Sequence, residues 1–369
     1  MQFIPLAEPK ITKKDVTAVS SQLTSSFVGP GKTAEKFGDQ LARLTKRNYA
    51  IPTISGTVAL SIAAKAIGLK PGDEILVPAY GVVSVINAFK TVGLKPGLVD
   101  INPHHGCIDT DTIRAALSPD TKAVCYISFL GNIAGSYEET IDFCRKNNLQ
   151  IIEDAAWSLG RTTARACGAS GGDIAITSFS VPKLITTGQG GALFTNDEET
   201  QKNSIRLIDQ GGINWRKTGD IELPGSNLRM SDINAALGLS QLHSLPKRMN
   251  RKQQIFNTIN SILEGNLVQP EDGLFPAQNV ILVHDRDRVL SEIKKLNIGA
   301  ASNYGCIYNL TPYVNLKQGC FIGAEFWAKH ALYLPFGIGT SKRDMKKMAQ
   351  AVMTLPIDFV DTVDMERVR

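Results

Sequence analysis

Ser178-Phe-Ser-Val-Pro-Lys-Leu-Ile-Thr-Thr-Gly-Gln-Gly-Gly191 sets one lysine, Lys183, between hydroxyl-bearing residues and a glycine-rich turn, and the strand-like Ala192-Leu-Phe-Thr195 follows at once. A desolvated lysine amine loses its proton more easily than a surface one, so this amine is a candidate for a Schiff base with a carbonyl cofactor. Read alone, the stretch equally describes a solvated loop lysine beside a turn. The rest of the chain has to decide.

Just upstream, Leu149-Gln-Ile-Ile-Glu-Asp-Ala-Ala156 reads as a strand with Glu153 and Asp154 at its carboxyl end, and a loop over 160–173 leads to the strand Asp173-Ile-Ala-Ile-Thr-Ser178. Ligands of open α/β sheets gather at the carboxyl ends of strands, which makes Asp154 a candidate carboxylate; capping of the next segment is the plainer alternative. Further upstream, the strand Tyr49–Ile54 meets a helix over 58–68 through Ser55-Gly56-Thr57. Free amides and hydroxyls at a helix start make an anion site, most naturally for phosphate, although an isolated Ser-Gly-Thr is more often an ordinary N-cap.

Strand and helix signals alternate through this half: strands at 75–78, 97–101 and 123–130, helices at 82–92, 109–117 and 137–147. The run Ala123–Leu130 is apolar but for Ser128, as a strand buried on both faces would be. The alternation predicts an α/β fold with a mostly parallel sheet covered by helices. A helix at 197–209, an irregular loop over 211–220 and a helix capped by Ser231 or Asp232 complete this large domain, 33–246. Ahead of it lies an N-terminal arm, 1–32, with helical spacing at Val16, Val19 and Leu23. Pro246 and the basic Lys247–Lys252 mark the boundary to a smaller α+β domain, 247–369, and this basic run reads as a solvated charged face. The small domain shows helices at 253–264, 286–296 and 341–354 and a strand at 279–283.

Forty Lys+Arg against 35 Asp+Glu give a net charge of +5 over 369 residues, compatible with anionic ligands. No dense basic run or aromatic-basic interleaving argues for nucleic acid. The six cysteines (107, 125, 144, 167, 306 and 320) are dispersed and form no Cys-x-x-Cys pair. They predict buried thiols in a reducing compartment rather than disulfides or a metal centre. With no secretion signal or membrane-length apolar run in view, the expectation is a cytoplasmic protein.

A hydroxyl-rich helix start, an aspartate at a strand end and a lysine 29 residues later, with hydroxyls at 178 and 180, are the parts a pyridoxal 5′-phosphate site requires. Phosphate calls for amides and hydroxyls, the pyridine nitrogen for a carboxylate, the aldehyde for a lysine.

Over nearly its full length the chain resembles the nucleotide-sugar aminotransferases of the DegT–DnrJ–StrS type, which have the fold-type I aspartate-aminotransferase architecture. Ser55-Gly-Thr57 is similar to the family's phosphate-binding Ser-Gly-Thr, and Lys70-Pro-Gly-Asp-Glu74 with Val77-Pro78 to the turn and strand after it. Glu153-Asp-Ala-Ala156 is similar to the segment whose aspartate holds the pyridine nitrogen, and Ser178-Phe-Ser-x-x-Lys183 with Thr187-Gly-Gln-Gly-Gly191 to the lysine segment, whose first serine binds phosphate. Gly225-Ser-Asn-Leu-Arg-Met230 resembles Gly-Tyr-Asn-Tyr-Arg-Met, which in the family reaches the cofactor phosphate of the neighbouring subunit. The resemblance thus implies Lys183 and Asp154 as catalytic residues. It implies cofactor contacts from Ser55, Gly56, Thr57, Val82, Trp157 and Ser178, and from Asn227 and Arg229 of a second subunit. Tyr80, Tyr304 and Tyr308 are the expected substrate contacts.

The chain departs from the family at four places: Val82 stands where an aromatic covers the cofactor ring, Trp157 where His or Gln is usual, Ser128 where His is usual, and Tyr304-Gly-Cys-Ile-Tyr308 in place of Tyr-x-Pro-Leu-His. The activity implied is transfer of an amino group, with glutamate as donor, to a nucleotide-linked keto-sugar by a homodimer. A pyridoxal-phosphate-dependent lyase or dehydratase, transamination of a small amino ketone, and a relative that binds without turnover remain as alternatives. The sugar, the nucleotide and the carbon aminated are left open.

Overall fold

In the computed structural model, which describes residues 2–163 and 166–360, the apolar runs pair into one seven-stranded sheet. Its strands are β1 (Tyr49–Thr53), β2 (Glu74–Pro78), β3 (Lys95–Val99), β4 (Thr121–Ile127), β5 (Gln150–Asp154), β6 (Ile174–Ser178) and β7 (Gly191–Thr195). Their spatial order is β1-β7-β6-β5-β4-β2-β3. Pairing is parallel from β3 through β6 and antiparallel where β7 meets β6 and β1, so β7 alone runs against the others. The reason is local: the 179–190 connection contains no helix, and without a crossover the chain can only double back. Within this sheet Asp154 pairs with Ile127, and Ser178 with Gly191.

The helices are α1 (Lys13–Leu23), α2 (Lys32–Thr45), α3 (Gly56–Ala66), α4 (Val83–Thr91), α5 (Thr110–Ala116), α6 (Tyr137–Lys146), α7 (Glu198–Ile208), α8 (Trp215–Thr218), α9 (Asp232–His243), α10 (Leu245–Ile262), α11 (Arg286–Lys295), α12 (Ile322–His330) and α13 (Lys342–Met353). Ala123, Val124, Cys125 and Tyr126 of β4 are all buried, as a strand covered on both faces requires. A second core gathers Phe256 and Ile259 of α10, Ile293 of α11 and Met348 of α13 around Ile281 of β8 (Asn279–Leu282) and Leu332 of β9 (Ala331–Leu334), an antiparallel pair. Ile4 joins this core through a bridge to Ile298.

Four details sharpen or depart from the sequence-based expectations. Ser231, not Asp232, caps α9; the Asp232 carboxylate instead accepts the Gly31 and Ala34 amides at the start of α2. The irregular stretch 211–220 contains the helical turn α8, with the Trp215 indole donating to Asp209. The basic run is only in part a solvated face, with Lys247 and Asn250 exposed. Pro246 occupies the first turn of α10, where its missing N–H costs nothing, and Arg248 and Lys252 are buried. Finally, α12 and β9 had no local signal. The α12 amides of Gly323 and Ala324 are capped by Asp100, a residue far away in the chain.

Candidate active site

Ser55 follows β1, and its hydroxyl accepts the Val58 amide at 3.2 Å, capping α3. The first amides of a helix have no intrahelical acceptor, and those of Gly56 and Thr57 donate to no other described residue. They are open to an anion. The carboxyl end of β6 lies against them: a Cβ on Gly56 would stand 2.8 Å from the Ser178 Cβ, and one on Gly191 would stand 2.5 Å from the Ser55 carbonyl carbon. Two glycines therefore permit the approach that sets Ser178 beside the start of α3.

Strand alternation separates the two carboxylates at the end of β5. Glu153 turns into the 169–172 loop, where it accepts the Ala169 and Gly171 amides at 2.8 Å and the Tyr137 hydroxyl at 2.9 Å. It is a structural tie. Asp154 turns the other way and accepts the Ala156 amide at 2.9 Å. Burial pushes its pKa up, partly offset by that amide and by Lys183. Lys183 follows β6 in a turn closed by its amide on the Ser180 carbonyl. Burial lowers the pKa of its amine to about 8, against the raising pull of Asp154. The amine stands 3.6 Å from the centroid of the Trp157 ring, a cation–π contact.

These groups line one cavity of about 480 Å³ at the carboxyl ends of β2, β4, β5 and β6, with Ser55, Gly56, Thr57, Val82, Asp154, Trp157, Ser178 and Lys183 all on its wall. Tyr80 also lines it, but its hydroxyl is engaged with that of Tyr333 at 3.2 Å and its ring packs on Phe129 and Trp327. Tyr304 stands behind the wall, its ring edge-on to Trp157 and Tyr80. Tyr308 lies outside the cavity: its hydroxyl donates to Glu325 and its ring stacks on Phe321. Asn227 and Arg229 are also outside, with Arg229 paired to Asp209 at 3.1 Å and donating to Asn227. Sequence reasoning passed over Phe129, Ser84 and Gln189 as lining residues. Of these only Gln189 carried a signal, inside the glycine-rich turn.

Comparison with known proteins adds the family. The model of the DegT/DnrJ/EryC1/StrS aminotransferase family matches residues 9–353. A GDP-perosamine synthase of Caulobacter vibrioides is 27% identical, with 95% of this chain and 97% of that protein covered. A dTDP-4-dehydro-2,3,6-trideoxy-D-glucose 4-aminotransferase of Saccharopolyspora spinosa is also 27% identical, covering 94% and 95%. Among solved structures, Helicobacter pylori PseC, an aminotransferase involved in the biosynthesis of pseudoaminic acid, superposes with a TM-score of 0.90 at 24% identity, over 96% of this chain and 99% of that one.

Proposed function

Given that the chain belongs to the DegT/DnrJ/EryC1/StrS aminotransferase family, we propose that it moves an amino group from glutamate to a nucleotide-linked keto-sugar, using pyridoxal 5′-phosphate bound in the cavity around Lys183. The observation that carries this reading is the buried Lys183 amine, its pKa lowered to about 8 beside Asp154. Perturbed groups of complementary charge in a cleft are the mark of a proton-transfer site. Nucleotide-linked sugars appear in the names of both relatives, as the product of the Caulobacter enzyme and the substrate of the Saccharopolyspora one.

The residues fit the cofactor. Free amides of Gly56 and Thr57 with the Ser55 and Ser178 hydroxyls suit a phosphate, Asp154 suits a protonated ring nitrogen, and 480 Å³ is ample for a small phosphorylated ring plus a sugar. When bound, the cofactor supplies an aldehyde carbon for a lysine and a ring that accepts electrons from bonds broken at the substrate. Lys183 Nζ is the chain's own proton carrier. With a pKa near working pH it takes the proton released at the donor's amino-bearing carbon and, in the second half-reaction, supplies one to the sugar carbon that gains nitrogen. Burial pushes the Asp154 carboxyl up, and the Ala156 amide and Lys183 pull it back toward its anionic form. Val82 and Trp157 present an apolar and an aromatic wall that keep water off the reacting amine.

We further read the enzyme as a cytoplasmic homodimer. Asn227 and Arg229, which miss their own chain's cavity, would serve the phosphate end of the neighbour's; the exposed apolar Ile54 and Val181 near the cavity mouth supply surface for a second copy to cover. Among the described residues no helix is long and apolar enough to cross a membrane. The test is direct: the purified protein is mixed with pyridoxal phosphate, its visible absorbance is recorded, and 2-oxoglutarate release from glutamate is followed with a panel of keto-sugar nucleotides. Absorbance unaltered by Lys183→Ala, or no 2-oxoglutarate with any acceptor, would defeat the proposal.

A further inference from the structure

Behind Lys183 lies a second, small cavity of about 30 Å³. It shares Ala156, Trp157, Ser178, Pro182 and Lys183 with the first, so the lysine and the indole form the partition between them. Its wall carries three cationic side chains, Lys183, Arg161 and Lys252, and among the described residues no acidic one.

The cations are unequally served. Arg161 is 2% exposed; its Nη2 donates to both Asp272 oxygens at 2.7 and 2.8 Å, and its Nη1 donates to the Phe275 carbonyl. Its buried Nε–H has no partner among the described residues. Lys252 is 5% exposed and donates to the carbonyls of Phe336 at 2.8 Å and Ala277 at 3.3 Å, over the Phe336 ring. An ammonium has three N–H donors, so one is left over, and no described carboxylate pairs with it. A buried charge without a counter-charge is expensive. Among the described residues no carboxylate of this pocket meets the requirement.

We propose that the small cavity binds one monovalent anion of halide size, held by Lys252 and the free Arg161 N–H beside the Lys183 amine. Its volume suits one such ion or a pair of waters and nothing larger. Binding is linked to protonation, because the anion favours the charged forms of the amines around it. Burial lowers the Lys252 pKa to about 7, so affinity weakens about tenfold per pH unit above that value. The other charged groups that bear on the site are Lys183, with Asp154 behind it, and Arg161, whose charge Asp272 already answers. By the same linkage a bound anion raises the pKa of Lys183, which makes halide a brake on whatever chemistry needs the neutral amine.

The full-length protein, free of cofactor, is crystallised and soaked in sodium bromide near pH 6, and anomalous scattering of bromine is mapped. In parallel, Tm is measured in bromide and in gluconate at equal ionic strength, for the wild type and Lys252→Met, at pH 6 and pH 8. The expected results are one bromine peak between Lys252 and Arg161, and a bromide-dependent rise in Tm that is present in the wild type at pH 6, smaller at pH 8 and absent in Lys252→Met. Water density with no bromine signal in the cavity, or a wild-type Tm at pH 6 equal in bromide and in gluconate, would overturn the proposal even should the variant fail to fold. Neither measurement uses catalysis, so the outcome is separate from that of the aminotransferase reading.

Discussion

Replacing Lys183 by methionine should stabilise the cofactor-free protein, and by an amount that depends on pH in a particular way. Burial lowers the pKa of this amine from 10.5 to about 8. At 1.36 kcal/mol per unit, the charged lysine costs the folded state about 3 kcal/mol. The unfolded chain holds the proton more tightly, so the cost is present in full below pH about 8. It shrinks once the folded lysine gives up its proton above pH about 8, and is gone above 10.5. That figure is already net of the attraction to Asp154, which is among the causes of the shift, so about 3 kcal/mol is the expectation at neutral pH. The assay is urea unfolding of wild type and Lys183→Met without cofactor, at pH 7 and 9.5. The methionine variant should be more stable at pH 7, and its advantage should fall by about 2 kcal/mol at pH 9.5. Lys183→Met with Asp154→Asn closes a cycle that measures the coupling of the pair. An advantage that does not change with pH would show that the amine is not desolvated, and the argument that it is poised for proton transfer would go with it.

Other outcomes follow from the same geometry. Gly56→Ala drives a methyl to within 2.8 Å of the Ser178 Cβ; it should cost about 1–3 kcal/mol of stability and weaken pyridoxal phosphate binding more than Thr57→Ala does, as read by equilibrium dialysis. Trp157→Leu removes the ring 3.6 Å from the Lys183 amine and should lower the amine's pKa by up to about one unit, seen as faster modification of Lys183 by an amine-reactive reagent at neutral pH. Glu153→Gln replaces a carboxylate that accepts the Ala169 and Gly171 amides and the Tyr137 hydroxyl; it should cost about 2–4 kcal/mol of stability yet leave kcat per folded molecule nearly intact, whereas Asp154→Asn should do the reverse. Mixing Lys183→Ala with Arg229→Ala protein should restore about a quarter of wild-type activity if the two residues serve a site shared between copies, and none if each copy is self-contained.

The gathering of Ser55, Asp154 and Lys183 on the wall of the main cavity was legible in the sequence because each rests on a local signal. Ser55-Gly-Thr57 lies between a strand and a helix, Asp154 at the end of an apolar run, and Lys183 within a hydroxyl- and glycine-bearing segment. Short-range pattern places such residues at strand ends, and in a parallel sheet strand ends converge. Period-two alternation also separates Glu153 from Asp154, but which of the two meets the lysine depended on the face the sheet turns toward the cavity. Side chains whose partners lie far along the chain were not legible. Tyr308 is held by Glu325, the Tyr80 hydroxyl is engaged by Tyr333, and the cap of α12 came from Asp100. The basic run shows the limit most plainly. Four cations in six residues read as a solvated face, yet α10 turns Lys252 into the wall behind Lys183. The sequence by itself determined which groups could hold a phosphate, a ring nitrogen and an aldehyde, because those are properties of residue type and local backbone. Only the tertiary structure decided which charges are desolvated and which go unanswered, since burial and charge compensation are sums over neighbours contributed by distant segments.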